Sequence, residues 1–500
     1  MHKAQGAIQY LLMAGGAIIV AVILITLISG ISKSGAHDTN NSAEKLSEII
    51  KDSKCQNLND CPRDLNTGNG IDFGALEYSF SPEIFRPSMN LRPLSKDSAQ
   101  LYLTKFSNHD FVRMSSIGFQ LRASDCFEGC ANSFKANLQT YLKDKVKGID
   151  IENPAWGQIH NKIIFDFWGN PAWLQNAQGK PDPEKWKPVA REIAAQLKDV
   201  TAVEIYLEVW NEPDLGEFWS GTTQEYLAIY KAIAEEIKSA NPKAKVGGAA
   251  VNQWFNKLPG SGNALNIELI KYAKENNVPL DFVSWHFYRT PDQAKGPVEA
   301  YEAEINSAGF QKKPELIITE WNGWSTEARK YVPAMSSLIA TDYFEFAQAG
   351  IDGQIFYNWE DDTSLNDPSN RYYGLLTRQG EETGDLRPTY YAHAMFDALA
   401  EKSSAIALTK KDSLLMIIGK PKTGNCAPAI MWEPNFDSAS PGFSAKKDYT
   451  ISFGGAETIT AQDAVSVKSE FKEKSVQAAQ NTLSFSLEAN EVLGLEICTQ

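Results

Sequence analysis

Between residues 71 and 400, short runs of β-branched or aromatic residues alternate with stretches whose apolar residues recur at helical spacing. A chain patterned this way is limited to a parallel sheet wrapped by helices. Eight runs read as strands: FGALEYSF, DFVRMSSI, KIIFDFW, AVEIYLEVW, AKVGGAAV, DFVSWHFY, ELIITEW and GQIFYNW. The intervening helical stretches include Thr223 to Ala240, where Tyr226, Ile229, Tyr230, Ile233 and Ile237 fall on one face. Eight βα units predict an α/β fold of the (β/α)8, or TIM barrel, type over residues 71–402. A doubly wound open sheet would want a glycine-rich phosphate turn after an early strand, and the sequence has none. From residue 403, LLMIIGK, APAIMWE, DYTISFGG, NTLSFSL and VLGLEICT are strands separated by turn signals, so residues 403–500 are expected to form an all-β accessory domain of sandwich type.

In such a barrel the chemistry lies at the C-terminal ends of the strands. Several of those ends are polar or aromatic in a way a core does not need. The second run carries Arg113; the fourth ends in Trp210-Asn211-Glu212-Pro213, the sixth in Trp285-His286-Phe287-Tyr288, the seventh in Thr319-Glu320-Trp321-Asn322, and the eighth in Tyr357-Asn358-Trp359-Glu360. Cleavage of a glycosidic bond needs two carboxyl groups, one to protonate the leaving oxygen and one to attack the anomeric carbon or activate water. Glu212 and Glu320 stand at the ends of runs four and seven, positions a barrel brings face to face across its mouth. A lone strand-end glutamate is more often half of a surface ion pair; a pair flanked by Asn and Trp at matching strand ends favours catalysis. Trp168, Trp173, Trp219, Trp285, Trp321, Trp324 and Trp359 fall at or just past strand ends, where a flat ring can stack on a sugar. The acidic run Glu360, Asp361 and Asp362 reads as a solvated loop.

The WNEP and TEW segments resemble clan A glycoside hydrolases, and the spread of VRMSS, VWNEPD, SWHFY and ITEWN is most similar to family 39, which includes β-xylosidases and α-L-iduronidases. The resemblance covers about residues 70 to 400. It implies a retaining enzyme acting on an oligo- or polysaccharide, with Glu212 as acid/base, Glu320 as nucleophile and Asn211 donating to the sugar or to the nucleophile. Glu212 then has to hold a proton, and Glu320 needs a cation or donors to stay ionised, a task for which Arg113 and Tyr288 are the candidates. His286 is expected to bond the acid/base or the sugar, and Trp168, Trp321 and Trp359 to bind substrate, Trp359 flooring the subsite beside the scissile bond. An inactive carbohydrate-binding or filament protein, and an endo-acting glucanase or mannanase of the same clan, remain alternatives.

No cofactor and no metal is expected. The six histidines are scattered without HExxH or His-x-His spacing, and no CxxC pair occurs. The balance of 48 basic and 62 acidic residues, net charge -14, has the wrong sign for nucleic-acid binding.

Residues 1–30 contain an apolar run from Ala7 to Ile28, long enough to span a bilayer and too long for a cleavable secretory signal. KAQGAIQYLLM resembles the class III, type IV pilin-like signal peptides of archaea. That resemblance implies a cut between Ala4 and Gln5, a membrane-anchoring helix that also offers a self-assembly surface, and a catalytic part at the cell surface. Gln9 and Ala4 depart from the pattern, which commonly has an acidic residue and Gly there, and a plain signal anchor is the alternative. Residues 31–70, rich in Ser, Asn, Asp and Lys and holding the sequon Asn40-Asn41-Ser42, read as a stalk. The six cysteines all follow the apolar run, as in an exported, disulfide-bonded protein. They group as Cys55 with Cys61, Cys126 with Cys130 and Cys426 with Cys498, one of fifteen connectivities.

Overall fold

The barrel closes as the alternation predicts, with one strand exchanged. The computed structural model describes residues 71–72, 75–91, 106, 109–114, 117–143, 160–288, 294–323, 335–360, 373–379, 382–434, 446–454, 458–467 and 471–499. The leader, the stalk, Cys55, Cys61, Trp324, Asp361 and Asp362 lie outside the described residues. Among the described residues no helix is long and apolar enough to cross a membrane.

Eight parallel strands form the closed barrel: β1 (Met89–Leu91), β2 (His109–Met114), β3 (His160–Phe167), β4 (Glu204–Val209), β5 (Lys245–Val251), β6 (Phe282–Phe287), β7 (Glu315–Trp321) and β8 (Gly353–Phe356). Seven of them fall in the runs expected from sequence. The first does not: residues 75–80, the described part of FGALEYSF, lie outside the barrel, and its place is taken by the three residues of β1. Ile71 and Asp72 pair instead with Phe453 and Gly454, and Phe80 bridges Ile406. Leu76 is buried in the accessory core. The boundary expected at residue 71 therefore shifts, and the accessory domain takes a piece from each side of the barrel.

That domain is a sandwich. A six-stranded sheet (Ser403–Lys411, Leu414–Pro421, Cys426–Trp432, Val492–Thr499, Ile459–Val467, Phe471–Glu473, in spatial order) faces a four-stranded one (Ile71–Asp72, Lys447–Gly454, Thr482–Leu487, Gln477–Ala479). Met416, Ile418, Ala429 and Met431 of the first sheet share a core with Ile451, Phe453, Leu483 and Phe485 of the second. The alternate residues Ile417, Ile430 and Trp432 point the other way and pack with the barrel layer. Strand periodicity thus buries both faces of the larger sheet, and Trp432 Nε1 donates to Thr341 Oγ1 across the junction at 2.9 Å. Cys426 and Cys498, register partners on neighbouring strands, are disulfide-bonded, as are Cys126 and Cys130.

Helices wrap the barrel with their apolar faces inward. Thr223–Ala240 begins with a capping box, the Thr222 hydroxyl accepting from Glu225 N while the Glu225 carboxylate accepts from Thr222 N, and it buries Tyr226, Ile229, Tyr230, Ile233 and Ile237. Inside the barrel, Phe111, Ile164, Tyr206, Phe282, Ile317 and Ile355 form an apolar plug. Rings from strands that are not neighbours meet there, Phe111 with Tyr206 at 5.3 Å and Tyr206 with Phe282 at 5.5 Å between centroids. Gly353 makes room for it, since a Cβ at that position would collide with the Phe111 ring.

Candidate active site

Two residues beyond the plug toward the C-terminal end, the period of two brings Arg113, Asp166 and Glu208 inward on β2, β3 and β4, each with 0% exposure. The Arg113 guanidinium holds the cluster together. Its Nε donates to Glu208 Oε2 at 2.6 Å, Nη2 to Asp166 Oδ2 at 3.2 Å and to Asn211 Oδ1 at 2.9 Å, and Nη1 to Asn90 Oδ1 at 3.3 Å and Glu320 Oε1 at 2.5 Å. Burial alone would lower the Arg113 pKa, but Glu208, Asp166 and Glu320 together raise it, so the guanidinium is a permanent cation. Burial pushes Asp166 up to about 7, with Arg113 opposing and Glu208 and Glu320 adding to the rise.

Glu320 arrives by a bulge. Trp285 on β6 pairs with Ile318 on β7, and the next residue, His286, pairs with Glu320, so Thr319 is the extra residue. A bulge re-aims the side chains beyond it: Glu320 comes to the Arg113 side, while Trp321 faces the outer layer. The Thr319 carbonyl accepts from Asn90 Nδ2 at 3.0 Å. Besides Arg113, Glu320 accepts on Oε2 from the Tyr288 hydroxyl at 2.7 Å, and His286 Nδ1 lies 3.5 Å from the same oxygen. Burial raises the Tyr288 pKa well above its ordinary value, and Glu320 and Glu212 raise it further, so the phenol stays a donor. A cation and a hydroxyl donor on one carboxylate favour its ionised form.

Glu212 sits on strained backbone. Trp210 and Glu212 have φ of 77° and 44°, and Ala250 on the neighbouring strand has 52°, all in the left-handed region that non-glycine residues enter at a cost. Glu212 N donates to Ala250 O at 2.9 Å, which ties two of the three together. The Glu212 side chain accepts on Oε1 from Asn252 Nδ2 and faces His286 Nδ1, each at 2.8 Å. Single donor atoms of Glu212, His286 and Glu320 all lie within 4.8 Å of one another. Three such groups are also what a divalent ion would take, but the guanidinium on Glu320 already places a positive charge there.

The expected site residues therefore divide. Glu212, Glu320, Asn211, Arg113, His286 and Tyr288 converge at the mouth. Trp321 and Trp359 are fully buried and offer no open face to a sugar. Trp321 donates from Nε1 to Gln354 Oε1 at 2.5 Å and is ringed by Tyr343, Phe346 and Phe356, a consequence of the alternation that turns Glu320 the other way. Phe106 meets the Trp359 ring edge-on at 6.1 Å. Trp168, 9% exposed, stacks under the Arg122 guanidinium 3.7 Å from its centroid and meets Phe218 edge-on. Sequence reasoning missed Asn90, Asp166, Glu208, Asp214 and Asn252. For Asp166 and Glu208 a signal existed, a charged residue inside an apolar run at a position the period of two sends inward.

The (β/α)8 barrel thus holds two carboxylates close together at its mouth, with a guanidinium on one of them. Residues 171–318 match the family described as Glycosyl hydrolases family 39. The chain is similar to a β-xylosidase of Caldicellulosiruptor saccharolyticus, 35% identical over 265 residues, covering 48% of this chain and 50% of that one. It is also similar to a β-xylosidase of Geobacillus stearothermophilus, 26% identical over 293 residues, covering 52% and 54%. The chain thus spans about half the length of the curated relatives it matches. Among solved structures, a monomeric β-xylosidase from Caulobacter crescentus CB15 superposes with a TM-score of 0.64 at 13% identity, over 86% of this chain and 99% of that one, a likeness of fold.

Proposed function

We propose that the protein is a retaining glycoside hydrolase of the β-xylosidase type, with Glu320 as nucleophile and Glu212 as acid/base. The observation that carries this is the carboxylate pair: one oxygen of each group lies within 4.8 Å of the other, and the two groups have different partners beyond the His286 they share. Retaining enzymes hold their carboxyl groups roughly 5 to 5.5 Å apart, whereas inverting ones leave roughly 6.5 to 9.5 Å for a water. Glu320 is held by a cation and a phenol, as a nucleophile requires; Glu212 touches no guanidinium or lysine among the described residues.

In the first step a Glu320 oxygen bonds to the anomeric carbon as the bond to the leaving oxygen breaks, and the Glu212 proton passes to that oxygen. In the second, Glu212 takes a proton from water, the water oxygen bonds to the anomeric carbon, and the bond to Glu320 breaks. Asn211, held through Oδ1 by Arg113, has its Nδ2 left to donate to the sugar. The choice of a β-xyloside is supported by the two similar β-xylosidases. Anchoring at the cell surface, with the catalytic part outside, is supported by the apolar run from Ala7 to Ile28 and by the cysteines that follow it.

The test is hydrolysis of aryl β-D-xylopyranosides by the chain from residue 35 onward, with the anomeric configuration of the first product read by proton NMR. Retention is expected, together with a mass increase on Glu320 after treatment with a 2-fluoro xyloside. An inverted product, or a label elsewhere, would overturn the assignment. Partition of the full chain into membranes tests the anchor separately.

A further inference from the structure

The segment after β5 makes contact with the acid/base that the two-carboxylate scheme leaves unused. Asn252 Nδ2 donates to Glu212 Oε1 at 2.8 Å, and its Oδ1 accepts from Gln253 Nε2 at 3.0 Å, so the amide has one orientation. The segment is clamped by Asp214, two residues beyond Glu212. The Asp214 carboxylate accepts from Asn252 N at 2.8 Å and Asn256 Nδ2 at 2.8 Å, and from Gln253 N at 3.0 Å. Glu212 N in turn donates to Ala250 O at 2.9 Å. The motif WNEPD therefore contains both the glutamate and the anchor of the strand end that touches it.

His286 reaches the same oxygen of Glu212 as Asn252, at 2.8 Å. Burial pushes the His286 pKa down, but Glu320 and the hydrogen bond to Glu212 outweigh burial and raise it; with an acceptor oxygen 2.8 Å away, Nδ1 is the nitrogen that carries the proton. An oxygen that accepts from two N–H donors has both lone-pair directions taken.

We propose that Asn252, held by Asp214, is a positioning residue for the acid/base: with His286 it saturates Oε1 of Glu212 and confines the transferable proton to Oε2. The inference rests on Glu212 being the acid/base and deepens that reading. General acid catalysis falls off steeply when the proton is misdirected, and it matters only when the leaving group needs a proton. Loss of Asn252 should then act selectively. A leaving group that departs as a stable anion, such as 2,4-dinitrophenolate, needs no help; unsubstituted phenolate does.

The experiment compares kcat/KM for phenyl and 2,4-dinitrophenyl β-D-xylopyranoside in Asn252→Ala, Asp214→Asn and Glu212→Ala. For Asn252→Ala we expect a loss on the order of 100-fold with the phenyl glycoside and under about threefold with the dinitrophenyl one. Asp214→Asn should show the same selectivity at smaller size, about tenfold. Equal losses on both substrates in Asn252→Ala would overturn the proposal, because a merely structural defect does not sense the leaving group. Glu212→Ala separates the two claims. If it is itself unselective, the acid/base assignment fails; if it is selective and Asn252→Ala is not, only the role of Asn252 fails.

Discussion

The two ends of the barrel carry charges of similar number in opposite states. At the floor, Lys245 Nζ meets Glu204 at 2.9 Å and Glu315 at 2.6 Å, Tyr206 donates to Glu315 at 2.8 Å, and Lys162 lies 3.1 Å from Asp110. Two cations answer three carboxylates there, and solvent reaches Glu204, 54% exposed at its side chain, and in part Glu315 and both lysines, while Asp110 is buried. At the mouth, one fully buried guanidinium answers Asp166, Glu208 and Glu320, with Glu212 close by. One oxygen each of Asp166 and Glu208 is buried with no hydrogen-bond partner. The apolar plug lies between, so neither end can relieve the other. Charge that is paired and mostly wet holds a fold together at little cost. Charge that is crowded and dry costs stability and is kept where chemistry uses it.

The largest effect should come from Glu320. Glu320→Gln is expected to lower kcat on an aryl β-xyloside by on the order of 10⁴-fold or more, whereas Glu315→Gln at the floor leaves it unchanged. Comparable losses in the two would erase the distinction between the ends. Next is Arg113, whose removal leaves buried carboxylates without their cation. Arg113→Met should cost about 3–5 kcal/mol in urea unfolding. A cost under about 1 kcal/mol would place the mouth cluster in the same weak class as surface pairs.

Much of this contrast was legible in the sequence, because alternation with a period of two is visible in β-branched runs. Seven barrel strands and five of the ten sandwich strands follow from it, and both glutamates stand just past the ends of such runs. The first barrel strand does not, since Met89–Leu91 offers three residues while FGALEYSF has the stronger pattern, and its Leu76 and Tyr78 pack in the sandwich core. Nor does the direction of Trp321. A one-residue bulge at Thr319 decides which neighbour of Glu320 faces the mouth, and a bulge leaves no compositional trace. Asn252 was invisible for a related reason: its importance comes from the hydrogen bonds of Asp214, which join segments 38 to 42 residues apart.

Asp166 gives the comparison a pH signature. The folded protein holds this carboxyl protonated up to about 7, whereas the unfolded chain releases the proton near 3.8. Between those values the unfolded state binds fewer protons, so wild-type stability falls as pH rises, at most about 1.4 kcal/mol per unit, and levels off above 7. Asp166→Asn cannot titrate. Its melting temperature relative to wild type should climb from about pH 4 to about pH 7 by a few degrees and then stay level. Parallel curves for the two proteins would mean that Arg113 keeps Asp166 ionised, and the mouth would then be less crowded than described.

The smallest effect is expected at the floor. Tyr206 belongs to the plug through its ring and to the floor through its hydroxyl, which donates to Glu315 and accepts from Lys245 at 2.6 Å. Tyr206→Phe keeps the ring and removes the hydroxyl, at a cost of about 1 kcal/mol in unfolding. Lys245 and Glu315 remain paired directly at 2.6 Å, which is why the cost stays near that of a single hydrogen bond. Since the plug stays filled, kcat/KM and its pH profile should match wild type. A shifted profile in Tyr206→Phe would show that the floor's charges are felt at Glu212 and Glu320 through the plug, and the two ends would have to be treated as one electrostatic unit.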